Sequence, residues 1–462
     1  MNPKSIIAMV ASLLIAGAAQ AQVPVADPVL DHLLSEVAER NPELAQARSA
    51  VQVEVARIPQ VGALADPVVS LGIQNDGFTE IAIGKMETSY FLIMATQAFP
   101  FPGKRDLRTA VATVDQRRAE ARVERFALSL EAQVRRAYLD WLLTREQAGL
   151  LGELAALWTQ AEATARSQYE AGAAPQSDLL RARLERARLE QRMQAAVTDV
   201  ANRLAELNRL RARPLDEALS TNARLEMGAE PPLPTLPAAQ ADAETRSPEL
   251  HLAALGIDQA ARRVELARKE RLPDFSVSAG VMPRGGLTPM WQLTFGFTVP
   301  VFSARKQDKA VEESEARGIG EVQGREAMRQ VLALRTSQRL EVLSSLERIN
   351  RRTRELILPL SEATVRSTLA QYEVGRVSFT AVLEALVSWV NDRTAYLGAL
   401  ADAQRVAIAQ RELTLDAPGY GSGSGGGGAM PQGGGAAPAS AGNQATAPSA
   451  GQPPNQTTGS GM

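Results

Sequence analysis

Between Arg105 and Gln168 apolar residues return every three or four positions, with Ala127, Leu130, Val134, Ala137, Trp141 and Leu142 on one stripe. That is the spacing of a helix face. The stretch has no proline, two glycines and a dense population of Ala, Leu, Arg, Glu and Gln, the strongest helix formers. At 1.5 Å per residue it predicts a helix about 96 Å long, well beyond the roughly 8–20 residues of a helix in a globular domain. Such a helix needs coiled-coil-like partners. Pro42–Leu64 predicts about 35 Å of helix and Gln176–Arg211 about 54 Å. Two shorter helices laid end to end can therefore flank the long one as a single rod.

A period of two replaces the helical period in two windows, Pro67–Phe101 and Pro273–Phe302. Trp291, Leu293, Phe295, Phe297, Val299 and Val301 alternate with Gln292, Thr294, Gly296 and Thr298. Phe275, Val277, Ala279 and Val281 alternate with Ser276, Ser278 and Gly280, and Val69, Leu71 and Ile73 with Ser70, Gly72 and Gln74. Each pattern predicts a strand with one apolar and one polar face. The alternation from Tyr90 to Gln97 is blurred but occupies the equivalent place. Lengths of about 9 to 12 residues suit a transmembrane β-strand. Ten of the twenty Trp, Tyr and Phe residues fall in these windows, as expected where lipid-facing strands meet the interface. A soluble sandwich with an aromatic core is the alternative on this pattern alone.

The chain also repeats itself about 205 residues later: Asn41-Pro42-Glu43-Leu44 returns as Ser247-Pro248-Glu249-Leu250, and Phe99-Pro100-Phe101 as Val299-Pro300-Val301. Gln168-Tyr169-Glu170-Ala171-Gly172 returns as Gln371-Tyr372-Glu373-Val374-Gly375. Solenoid repeats run roughly 20 to 50 residues, so this is a duplicated half-protein. The first repeat spans 22–213 and the second 248–416, with helices over Pro248–Leu272, Arg305–Gln371 and Ser378–Leu413 and a Pro-rich linker at 214–247. Pro359 must kink or interrupt the second long helix. Gly172 and Gly375 are expected to end their helices in a left-handed conformation.

Composition narrows the function. Met1–Ala21 reads as a secretory signal, with Lys4, an apolar core from Ile6 to Gly17 and the small-x-small site Ala19-Gln20-Ala21. No other stretch is apolar enough for a transmembrane helix. With no cysteine and two histidines, His32 and His251, a His/Cys metal centre and a disulfide framework are not expected. A net charge of −2, from Lys+Arg 50 against Asp+Glu 52, offers nothing to nucleic acid. No nucleotide loop, Cys nucleophile or His-centred triad is present, so neither an enzyme nor a cofactor is expected. From Ala417 onward no residue is charged and glycine supplies 14 of 46, the composition of a disordered tail.

Four strands cannot close a barrel, and open edges are forbidden in lipid, so a membrane reading demands oligomerisation. Together, the signal, the duplicated strand–helix order and the Tyr-x-x-Gly turns make the chain resemble the TolC-like outer-membrane efflux proteins. The most specific motifs are Tyr169–Gly172 followed by Asp178-Leu-Leu-Arg-Ala182, and Tyr372–Gly375 followed by Val382-Leu383-Glu384-Ala385. The resemblance implies a mixed, mainly helical fold: a homotrimer with a 12-stranded β-barrel in outer-membrane lipid, continuing into a periplasmic α-helical tunnel. It implies a passive gated conduit for metal cations or small toxic compounds, partnered by an adaptor and an inner-membrane pump and leaning toward the heavy-metal branch. It places the adaptor-docking tips at Gly172, Gly375, Leu180 and Leu383, and the gate at Tyr372, Asp178, Glu384, Arg376 and Tyr169. Two departures stand out: Val377 replaces the family's gate arginine, with Arg376 adjacent, and Ala381 replaces one entrance aspartate. For Asp178 and Glu384 the other reading is a helix cap or solvated face, and for the tyrosines packing at a helix end. A poreless periplasmic coiled-coil scaffold is the alternative function.

Overall fold

A computed structural model describes residues 27–78, 80–225 and 233–416. The export signal at 1–21, the tail at 417–462 and residues 226–232 of the linker lie outside the described residues.

Two proline-started helices open the fold. In α1 (Pro28–Arg40) the Asp27 carboxylate accepts the Val29 N–H at 3.0 Å, and α2 (Pro42–Gly62) is capped by Asn41. Proline suits the first helical turn, where its missing N–H is not needed. Strands β1 (Val68–Gln74) and β2 (Tyr90–Phe99) follow, then α3 (Lys104–Glu170) of 67 residues and α4 (Gln176–Leu210). The same order then recurs as α5 (Leu236–Arg246), α6 (Pro248–Lys269), β3 (Phe275–Arg284) and β4 (Leu287–Phe297), then α7 (Gln307–Arg352), α8 (Leu358–Glu373) and α9 (Phe379–Glu412). Helix α3 packs against both α2 and α4. Asn41 joins the two short helices end to end: its Oδ1 caps α2 through the N–H groups of Glu43 and Leu44, and its Nδ2 donates to the Leu210 carbonyl at the end of α4, at 2.9 Å.

Four details differ from the sequence reading. The Pro-rich stretch at 214–247 is not linker throughout, because α5 occupies its last part, matching α1. Pro237 stands in the first turn of α5, where it starts a helix instead of breaking one. Residues 221–225 lie on α3, where Arg145 donates to the Thr221 carbonyl at 3.1 Å and Glu146 accepts the Leu225 N–H at 2.7 Å. The second long helix is divided by a π-helical turn at Thr353–Ile357, immediately before Pro359. There the Leu358 N–H reaches the Thr353 carbonyl, a five-residue spacing that absorbs the proline within a continuous rod. Strand β1 has seven residues, shorter than expected: the Asn75 side chain bonds to the Gly77 and Glu80 carbonyls and the Ala82 N–H, turning the chain. Strand β4 stops at Phe297, so Val299 and Val301 lie in turns around Pro300.

The strands form one antiparallel sheet in the order β1-β2-β3-β4. A single row crosses it as Leu71, Ile93, Val281 and Trp291, and the next row on that face is Val69, Ala95, Ala279 and Leu293. The opposite face carries Ser70, Met94, Gly280 and Gln292 in register. The apolar face is bare: Leu71 is 77 % and Trp291 78 % exposed. Strands β1 and β4 each pair on one side only among the described residues.

Sheet and rods meet at a buried ammonium. Lys104, at the start of α3, lies 2.9 Å from Asp274 Oδ1 and 3.2 Å from Glu270 Oε2, and donates to the Leu272 carbonyl at 2.8 Å. Asp274 also accepts the Phe101 N–H at 2.8 Å. Burial raises the Asp274 pKa, but the bonds from Lys104 and Phe101 outweigh it and hold the carboxyl below its usual value.

Candidate functional site

The two helix turns share one backbone solution. Gly172 has φ +69° and Gly375 φ +71°. The Ala173 N–H reaches the Gln168 carbonyl at 2.8 Å and the Gly172 N–H the Tyr169 carbonyl at 3.0 Å; Arg376 to Gln371 (2.9 Å) and Gly375 to Tyr372 (3.0 Å) repeat the pattern. These are paired Schellman caps, which satisfy the last carbonyls of a helix through a left-handed residue. A Cβ added at either glycine would meet nothing within 4 Å, so backbone angle rather than space requires glycine there.

Identical turns surround tyrosines with different environments. Tyr372 is 2 % exposed and packs on Phe379 with ring centroids 5.7 Å apart, and Phe379 packs on Trp158 at 6.1 Å. Tyr169 is 41 % exposed. The Gln168 amide donates to the Tyr372 carbonyl, Gln160 to Glu373 at 3.3 Å, and Arg393 pairs with Glu153 at 2.6 Å. These bonds clamp the α8–α9 hairpin to α3. Below them an apolar core of Leu154, Trp158, Leu189, Leu369, Leu386 and Trp389 binds the four helices together.

Of the residues singled out in sequence, Tyr372 and Asp178 come near each other. Burial, then the Asp178 carboxylate, raises the Tyr372 pKa. No hydrogen bond joins them; among the described residues the buried Tyr372 hydroxyl has no partner. Asp178, half-buried in the first turn of α4, also suits the positive end of that helix. Arg376 and Glu384 are exposed and make no ion pair among the described residues. Leu180 is exposed on α4, and Leu383 packs half-buried against the tip core. Sequence reasoning missed Trp158, Phe379 and the clamp from Gln168. It also missed Glu162, buried among Arg186 (2.8 Å), Arg183 (3.4 Å) and Arg166 (3.7 Å). Only the Glu162–Arg166 pair, four residues apart on one helix, had a local signal.

Because its hydroxyl is unpartnered, Tyr372→Phe is expected to leave the thermal unfolding midpoint unchanged or raise it, by about 1 kcal/mol of stability. A clear drop would show that the hydroxyl is bonded in the assembled protein.

Among the described residues no helix is long and apolar enough to cross a membrane, and no group of three or more His, Cys, Asp or Glu side chains could hold a metal ion. Residues 240–414 match the family described as outer membrane efflux protein.

That match covers most of the second repeat. It agrees with the resemblance read from the motifs, the matched family being one of outer-membrane efflux proteins. Most of the chain shares its fold with solved channels. The outer-membrane channel OprN is similar at TM-score 0.69 and 15% identity, over 84% of this chain and 90% of that one. VceC from Vibrio cholerae gives TM-score 0.68 and 16% identity, over 85% and 99%. The open state of MtrE from Neisseria gonorrhoeae gives 0.66 and 19%, over 84% and 89%. A search of curated proteins by sequence finds no match.

Proposed function

We propose that the chain is the outer-membrane conduit of a tripartite export system, in which three copies close a 12-stranded barrel over a periplasmic tunnel of helical rods. The observation that carries this is the sheet: four antiparallel strands, one face apolar but for Gln97 and largely exposed, two open edges, and long helices leaving it. Lipid offers an apolar face the solvent it needs, while open edges in lipid require closure by further strands. The Gly172 and Gly375 turns, at the far ends of the rods, form the entrance and dock the adaptor, with Leu180 and Leu383 beside them. Tyr372, Asp178, Tyr169, Arg376 and Glu384 surround the gate. With Val377 and Ala381 in place of charged residues, closure rests on packing of Tyr372, Phe379 and Trp158 more than on ion pairs. Three Glu384 carboxylates around the entrance favour cations. The cargo is metal cations or small toxic compounds, driven by an inner-membrane pump.

Deleting the chain from its host and comparing tolerance to copper, silver, zinc, cobalt, bile salts and dyes tests this. Metal sensitivity, restored by the full chain but not by one lacking both strand windows, is the expected result. Sensitivity to dyes and bile salts alone would move the cargo to small organic compounds. Full tolerance, together with a monomeric mass after detergent extraction, would overturn the conduit.

A further inference from the structure

Methionine supplies all the sulfur in this chain, which has no cysteine. Of the six methionines among the described residues, three share one face of the sheet. Met94 on β2 stands in the row Ser70, Met94, Gly280 and Gln292. Met282 lies two residues from Gly280 on β3, on the same face, and pairs directly with Met290 on β4. Most other positions of that face carry Ser, Thr, Gly or Gln. Met86 is on the β1–β2 loop, and Met193 and Met328 are on α4 and α7. A sheet face of such polar composition needs no apolar filler, so three thioethers gathered on it ask for another reason.

Their spacing and cover suit a ligand. Residues directly opposite in an antiparallel pair hold their Cβ atoms about 4.5–5.5 Å apart, and diagonal neighbours lie about 7–8 Å apart. Met282 and Met290 are of the first kind, Met94 and Met282 of the second. Three rotatable bonds in each side chain let the sulfurs converge from those distances. Gly280 keeps the ground beside them clear: a Cβ there would lie 3.0 Å from the Ile93 carbonyl oxygen and 3.3 Å from the Met94 Cβ. Next to the Met282–Met290 pair, the sheet ends in a tight backbone contact. A Cβ on Gly285, in the β3–β4 turn, would lie 3.0 Å from the Gly84 Cα of the β1–β2 loop, and Arg284 donates to the Glu87 carbonyl at 3.2 Å. Met282 is only 6 % exposed, and Met94 is half-buried.

We infer that Met94, Met282 and Met290 form a thioether site for a soft monovalent cation, Cu(I) or Ag(I). Thioether sulfur is neutral and soft, the donor that suits such ions, whereas hard divalent cations take carboxylate, carbonyl and water oxygen. Zn(II) takes thiolate, imidazole or carboxylate instead. The site rests on the conduit reading for its place on the lumen side of a closed barrel, and it narrows the cargo of that reading to soft metal. With no anionic ligand, the ion is held loosely enough to leave, as conduction requires.

Silver nitrate titrated into the detergent-extracted full chain, with its methionines labelled at the methyl carbon and chloride absent, tests this. The Met94, Met282 and Met290 methyl signals should shift together, those of Met193 and Met328 should stay, and Zn(II) should move none. Met94→Leu, Met282→Leu and Met290→Leu combined conserve volume and apolar character, so the assembly should still form. The Ag(I) that this variant retains after dialysis should fall by about one ion per chain. Equal retention by the variant, or shifts spread evenly over the rod methionines, overturns the site, while a wild-type chain that conducts in planar bilayers leaves the conduit standing. A wild-type chain that makes no pore overturns both.

Discussion

Glu36→Ala is expected to cost about 3–5 kcal/mol, the usual loss when one partner of a buried ion pair is removed. The Glu36 side chain is nearly inaccessible, lies 2.8 Å from Arg211 Nε, and also takes a bond from Arg213. Arg211 is itself buried, bonded to Asn208 at 2.7 Å and paired with Glu217 at 3.3 Å. Without Glu36, that guanidinium stays out of water with only the longer contact to the partly exposed Glu217 to compensate its charge. The damage falls where α1, the end of α4 and the following loop meet, beside the Asn41–Leu210 bond that joins the stacked helices. Heat or urea unfolding of the detergent-solubilised protein measures it. Glu36→Leu combined with Arg211→Met should recover much of the loss, since an apolar pair of similar volume needs no desolvation of charge.

Glu36 also predicts an acid response. Burial raises its pKa, but the bonds and charges of Arg211 and Arg213 outweigh that and leave it lowered. A carboxyl with a folded-state pKa below its unfolded value near 4.3 adds stability above that value. The contribution is lost as pH falls through the lowered pKa, and Glu36→Ala should remove this part of the acid dependence.

Leu293→Arg is expected to abolish assembly in the membrane. Leu293 lies on the bare apolar face in the row Val69, Ala95, Ala279 and Leu293. A cation near the bilayer midplane on a lipid-facing strand costs about 2–4 kcal/mol, and in the proposed trimer three copies incur that cost at once. Gln292→Arg, one residue away, points to the other face, in the row with Ser70, Met94 and Gly280, and should insert normally. Heat-modifiable trimers in outer-membrane fractions report both. Equal tolerance of the two changes would mean that the apolar face does not meet lipid.

Much of the architecture was legible because it is local. A stripe every three or four residues without proline predicted α3 to within two residues at each end, and alternation told which face of β3 and β4 is apolar. Asn41 before Pro42 and Ser247 before Pro248 announced two helix starts. Errors arose where one residue type has two local uses. Pro237 was read as linker but starts α5, and Pro300 ended β4 earlier than the alternation implied. Pro359 produced a π turn rather than a break, because neighbouring carbonyls could take a longer spacing.

The candidate site was legible in place and not in bonds. Tyr-x-x-Gly at two positions locates both turns, and the left-handed glycines follow from the chirality of L-residues, which makes φ > 0 costly for any side chain with a Cβ. By itself, then, the sequence determined the lengths of the long helices, the apolar face of the strands and the order of the elements. Tertiary structure alone decided that Tyr372 is buried and Tyr169 bare, that Lys104 is locked to Asp274, and that Glu162 is shared by arginines from two helices. The two tyrosine motifs are nearly the same string. Their difference lies in what stands opposite each one, and in the second case that is α3, some 200 residues earlier in the chain.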